Sequence, residues 1–383
     1  MPVLRGWLAH YSENLATNMK PQVTGFILIL GLCLGTHIPA AAAACGIERD
    51  NVSDSTVFMR HLSRECSQVD RASHAVTAAE IIGAIKAGQG ISLKNAVVTG
   101  DLLLTRLASV PIRSLSLPDR VLSKLSRGRV TDARVIRGPF LIEDSVVDGI
   151  VDTQLKPDMV EQRLLGDMVV IQGPVSFRGT TFTKTVDLSR TIFLGPLDSS
   201  QTIFLEDSFW LSCIFDKPAT FEKTAFAGNA RFYQSVFHES ITYLRAGFAG
   251  LTNFLSVTFQ KEAGFSRAYF KMGTSFSGSR FEGMADFSEA VFEKAAFFMS
   301  TVFAADTYFR RATFQGEANF SDASFLAKDD FAKVVYKEEP NFTRVKFANP
   351  RTSVGFENPV FLAIVGAGLT AFLIAFIVIL KKG

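Results

Sequence analysis

Tryptophan and tyrosine are scarce in this 383-residue chain, 2 and 6 against 36 phenylalanines. A mixed core draws on several large apolar residue types, so this imbalance points to one structural slot used many times over. Cysteine is scarce as well: there are four, none at Cys-x-x-Cys spacing. His10, His37, His61, His74 and His238 stand far apart in the sequence. No metal-ligand motif results, and neither a metal nor a cofactor is expected. Charge of one sign is missing too. A net charge of +3 creates no field strong enough to argue for nucleic acid as a partner. The chain has no nucleophile elbow, phosphate-binding loop or dinucleotide fingerprint, and no Ser/His/Asp set that spacing singles out. A non-enzymatic role is therefore expected.

What is present starts with two apolar ends. Met19 to Cys45 reads "MKPQVTGFILILGLCLGTHIPAAAAAC", with one lysine, an apolar run from Phe26 to Leu34 and Ala-x-Ala cleavage sites. Residues 1–44 thus read as a secretory signal peptide, and a start at Met19 accounts for the long polar stretch before it. Ala42, where a lipobox carries Leu, argues against lipidation of Cys45. At the other end, Pro359–Leu380 carries no charge and is followed by Lys381 and Lys382. At about 1.5 Å per residue this segment spans a bilayer's hydrocarbon core of roughly 30 Å. The expected order is a linker over 348–358, a transmembrane helix over 359–380 and a cytoplasmic tail over 381–383. The bulk of the chain is then extracytoplasmic and the protein is a single-pass resident of the cell membrane. Ala363, Ala367, Ala371 and Ala375 form a small-residue stripe through which two such helices could pair as a homodimer. Export also suits a disulfide between Cys45 and Cys66, while Cys213 reads as an inert core thiol.

Between the ends lies a long register. Stepping alternately 5 and 6 residues from Phe177 to Phe347 visits 32 positions, of which 27 are Phe and the others are Leu188, Ser199, Trp210, Tyr243 and Tyr336. Two residues before most of them stands a small or β-branched residue, such as Ala263, Thr274, Ala285 or Ala296. Eleven residues make three helical turns, but steps of five and six place successive Phe on widely separated faces of a helix. Simple strand alternation fails on the odd steps. A chain that turns a corner every five or six residues fits, with the small residue and the Phe both inside. Four sides make a 22-residue coil, and coils stack about 4.8 Å apart.

"ANFSD", "ADFSE", "ARFYQ" and "AGFSR", beginning at Ala318, Ala285, Ala230 and Ala263, resemble the repeats of the pentapeptide-repeat proteins. The resemblance implies an all-β fold, a right-handed quadrilateral β-helix, over 171–347. The chain departs from the plain pattern by a sixth residue at every second corner.

Residues 45–170 form a head of looser pattern. "TAAEIIGAIKAG" places Thr77 and Glu80 in capping-box spacing and closes on Gly88, which predicts a short helix. "GDLLL", "GPFLI", "GDMVV" and "GPVSF", starting at 100, 138, 166 and 173, predict strands of degenerate first coils. Arg106 to Arg137 holds eight Arg/Lys against two Asp, a candidate patch for phosphate-bearing lipid or polysaccharide if it is not simply a solvated loop. One outward column of the rod is expected to read Phe209, Arg231, Asn253, Ser275, Phe297, Asn319, Asn341. These features predict a membrane-anchored β-helix serving as a rigid protein-interaction or structural module at the cell envelope. The alternative is a sensing subunit whose head binds a small molecule or glycan and couples to a membrane partner.

Overall fold

The computed structural model describes residues 45–49, 56–125, 130–153 and 167–348. The expected leader, the membrane segment and its stripe Ala363, Ala367, Ala371 and Ala375 lie outside the described residues. Among the described residues no helix is long and apolar enough to cross a membrane.

Each repeat makes one very short strand, and the pairing of these strands defines the coil. Ala285–Asp286, Val291–Phe292, Ala296–Phe297 and Val302–Phe303 follow one another on four different sheets. Thr307–Tyr308 then returns to pair in parallel with Ala285–Asp286, one turn of 22 residues later. The result is an all-β solenoid of about 12 turns, bounded by sheets of 12, 11, 9 and 11 strands, here termed sides one to four. The backbone bonds alternate in direction. On sides one and three N–H groups donate to the following coil, as in Phe265 to Asp286 (2.6 Å) and Phe276 to Phe297 (2.7 Å). On sides two and four they donate to the preceding coil, as in Val291 to Ala268 and Val302 to Ser279, both 2.9 Å.

The two step lengths correspond to two corners. At a five-residue corner Ala290 N–H closes a turn onto Phe287 O (3.1 Å), and the third turn residue, Glu289, has φ +58°. The same left-handed conformation recurs every eleven residues from Arg190 to Arg344, and only Gly278 among these positions is glycine. The six-residue corners carry the extra residue instead, and there coils pass so closely that a Cβ on Gly250 would lie 2.4 Å from Gly228 O.

Inside, the aromatic rings form continuous ladders. Phe232, Phe254, Phe276, Phe298 and Phe320 stack with centroids 4.8 to 5.1 Å apart and planes within 6°. Neighbouring ladders meet edge to face, as Phe265 meets Phe276 at 5.1 Å and 85°. Offset stacks within a ladder and T-shaped contacts between ladders satisfy the ring quadrupoles in both directions. The small residue two positions before each Phe makes room for this. Where that residue is Ser or Thr, its hydroxyl takes up backbone groups: Thr301 Oγ1 donates to Phe276 O (3.0 Å), and Ser279 Oγ accepts from Val257 N–H (2.9 Å).

The head winds into the same four sheets. Gly90–Lys94 and Phe140–Glu143 belong to side one, and Asp167–Ile171 pairs with Asp132–Ile136 on side four. Helix α1 spans Gln68–Ser73, and α2 spans Ala78–Lys86 with the Thr77/Glu80 capping box formed and Gly88 at φ +86°. Helix α2 buries Ile81, Ile82 and Ile85 against the start of the core. Side one ends in Ile47–Arg49, antiparallel to Val57–Leu62, and Cys45 is bonded to Cys66 beside that hairpin. After Leu104 the chain leaves the coil as a lobe: Ser109–Pro111 pairs antiparallel with Asp132–Ile136 at the end of side four, and helix α3 spans Asp119–Leu125. The lobe places Leu117, Val121 and Leu125 over Val170, Ile192 and Ile214 on the outside of side four.

Candidate interaction surface

Because every side repeats with the coil, a surface feature of this protein is a column of residues 22 apart. The column expected from Phe209 to Asn341 lies on side three, in unbroken register. Arg231 sits over the Phe209 ring at 5.3 Å, which ties one of its two aromatics to a cation.

A concave surface lies elsewhere, along the outside of side one. A groove of about 610 Å³ runs there from the coil of Leu141 to that of Gly264. One wall is a proline column, Pro174, Pro196 and Pro218. Proline is tolerated at this point because it precedes the strand, and the next residue makes the first ladder bond: Val175 N–H donates to Pro196 O (2.9 Å). Beside the prolines runs the outward strand column Ser176, Asp198, Thr220, Thr242 and Gly264. Short side chains in this column leave the surface hollow. Farther along, the same column reads Asp286 and Tyr308, and the groove stops before them.

The polar groups of the groove are held by local bonds. Thr220 Oγ1 accepts from Glu222 N–H (3.2 Å) and Thr242 Oγ1 from Leu244 N–H (3.1 Å), which fixes both rotamers and leaves each hydroxyl proton free to donate outward. Asp198 accepts from Ser200 N–H (2.9 Å). At the head end, Ser176 Oγ donates to Glu143 (2.7 Å), and Arg178 lies 3.4 Å from Glu143 and 4.0 Å from Asp198. The lining contains neither histidine nor cysteine. Such a surface can offer hydroxyl donors, carboxylate acceptors and proline rings to an elongated partner.

The residues singled out by sequence fall as follows. Cys45 and Cys66 are joined at an S–S distance of 2.09 Å. Cys213 is free and buried in a small-residue slot, and burial pushes its thiol up to about 12. Among the described residues of the basic stretch Arg106 to Arg137, two cations bind within the molecule: Arg134 pairs with Asp167 at 2.8 Å and Arg120 with Asp216 at 2.6 Å. Among the described residues no group of His, Cys, Asp and Glu is arranged to hold a metal. Sequence reading passed over the groove because it followed the column at 209 rather than the one at 176, although Pro174, Pro196 and Pro218 stand 22 apart.

No family model, no curated protein and no solved structure matches this chain. The class is therefore defined by the fold itself: a β-solenoid of stacked coils with regular, phenylalanine-rich repeats, consistent with a pentapeptide-repeat architecture.

Proposed function

We propose that this protein is a non-enzymatic interaction module of the cell envelope, exported by its apolar leader and held in the membrane by residues 359–380. The reading rests chiefly on one observation, the groove of side one. The prolines Pro174, Pro196 and Pro218 and the hydroxyls of Ser176, Thr220 and Thr242 fall in step with the coil rise of about 4.8 Å, so an elongated partner lying along the axis meets like groups at intervals set by that rise. Stacked rings keep that spacing stiff. In this reading the coil is square in section and winds right-handed, the sense taken by parallel strands joined through crossovers. The rod then presents a fixed face near the bilayer, as a dimer where the Ala363, Ala367, Ala371 and Ala375 stripes pair.

Membrane pull-downs with the full chain test this reading. Thr220→Arg and Thr242→Arg fill the groove without touching the core, so both are expected to lose any captured partner while thermal stability stays unchanged. A partner retained equally by both variants removes the groove from the proposal. Release of the chain from membranes by carbonate, with 359–380 intact, removes the anchor.

A further inference from the structure

Helix α3 is fastened to the solenoid by a cluster of titratable groups that plays no part in the groove. Arg120, on α3, donates from Nε to Asp216 Oδ1 (2.6 Å), from Nη2 to Asp216 O (2.6 Å) and from Nη1 to Glu239 Oε1 (2.8 Å). Asp216 and His238 occupy one outward column 22 residues apart, and His238 Nδ1 lies 3.3 Å from Asp216 Oδ1. Beneath the lobe the His238 side chain is wholly buried and that of Asp216 is 3% exposed. His238 Nε2 has no hydrogen-bond partner.

This geometry suits only a neutral imidazole. With Nδ1–H directed at Asp216, Nε2 is a bare acceptor. A proton there would leave a buried N–H without an acceptor and add a charge beside Arg120. The charged groups around His238 are Asp216 on the preceding coil, Glu239 on its own corner, and Arg120 and Lys124 on α3, with Lys217 and Lys261 near Glu239. The equivalent position on the next coil is the uncharged Gln260. The apolar contact beneath α3 is a small cluster separate from the aromatic core.

We propose that the lobe is an acid-released latch, in which protonation of His238 frees helix α3 from side four and bares the strip of Val170, Ile192 and Ile214. The linkage runs in one direction. Burial first, then Arg120 and Lys124, hold the docked imidazole below its ordinary pKa, against the pull of Asp216. Docking is therefore strongest above the ordinary histidine value of about 6.5 and weakens as pH falls below it, by up to about tenfold per pH unit. Burial alone would raise the Asp216 carboxyl, but the bonds from Arg120 and His238 outweigh it and hold it below the usual range. The Arg120 bond does the same for Glu239. Below about pH 4 protonation of these carboxylates weakens docking further, in the same sense.

Hydrogen exchange on the full chain between pH 8 and pH 5, corrected for intrinsic rates, tests the latch. Protection in peptides covering 117–125 is expected to fall up to about tenfold per pH unit below 6.5, while peptides of the aromatic ladder from 254 to 320 stay constant. His238→Gln should flatten that slope, and Arg120→Gln should remove the protection at every pH. Constant protection of 117–125 across the range, an unchanged slope in His238→Gln, or parallel loss along the ladder each overturns the proposal. Should the variants not fold, the wild-type slope against the ladder peptides decides alone.

Discussion

At the scale of the residue, each repeat asks for one aromatic ring and one small partner, and departures from that demand have distinct consequences. Tyr243 stands in a phenylalanine slot between Phe221 and Phe265, stacked on both, with its hydroxyl buried and without a partner. Burial pushes its phenol well above the ordinary value, so it stays neutral and the burdened group is the unmade hydrogen bond. Tyr243→Phe is expected to raise stability by about 1 kcal/mol, read from the denaturant midpoint at unchanged slope. The five-residue corners make a second demand. Ser300 sits at φ +55°, in the column where Gly278 supplies the same conformation. Ser300→Gly should therefore change stability by no more than about 0.5 kcal/mol, whereas the β-branched Ser300→Val should lose about 1–2 kcal/mol. The aromatic slot was legible in the sequence because its alternate steps of five and six never slip. The left-handed corner was not, because Arg, Gln, Ser, Lys, Glu, Asp and a single Gly occupy it and no residue type marks the backbone.

At the scale of the element, short-range chemistry was read well and long-range contacts were not. The α2 capping box, Gly88 at its end and the strands of "GPFLI" and "GDMVV" all follow from local patterns and are all present. The lobe is different. Its helix is placed by Leu117, Val121 and Leu125 meeting residues 170, 192 and 214, and by Arg120 reaching Asp216 and Glu239. No periodicity in the basic stretch reports on either contact. The Asp216–His238 pair could have been found, since the two stand one coil apart; the cation between them and the head could not. The N-terminal hairpin is short, and the Cys45–Cys66 bond fastens its outer strand. Cys66→Ser should therefore cost about 2–4 kcal/mol in opening the hairpin while leaving exchange in coils beyond 177 unchanged. Loss of protection along the whole rod would mean that the hairpin nucleates the solenoid.

At the scale of the whole molecule, stability is carried between neighbours. From Phe221 to Phe325 each ladder ring stacks on the aromatic ring one coil away, and each coil bonds its backbone to both neighbours. Surface columns inherit the spacing of that core, which is why a groove of one side can hold its geometry over several coils. The stacking of the repeat into an all-β solenoid with phenylalanine inside was legible. The interaction surface was legible only as a rule for where columns lie, because a hollow arises from the absence of long side chains over several adjacent coils.

The rule itself, that residues 22 apart are stacked neighbours, can be measured directly. Asn253 and Ser275 are paired across adjacent coils on the outside of side three. Replacing both by cysteine should give an intramolecular disulfide under mild oxidation, since neighbouring strands stand about 4.8 Å apart and a disulfide accepts Cα separations of roughly 4.4–6.8 Å. Cysteines at 253 and 264, eleven residues apart and on different sides, should not cross-link. Failure of the first pair with formation of the second would contradict the four-sided coil.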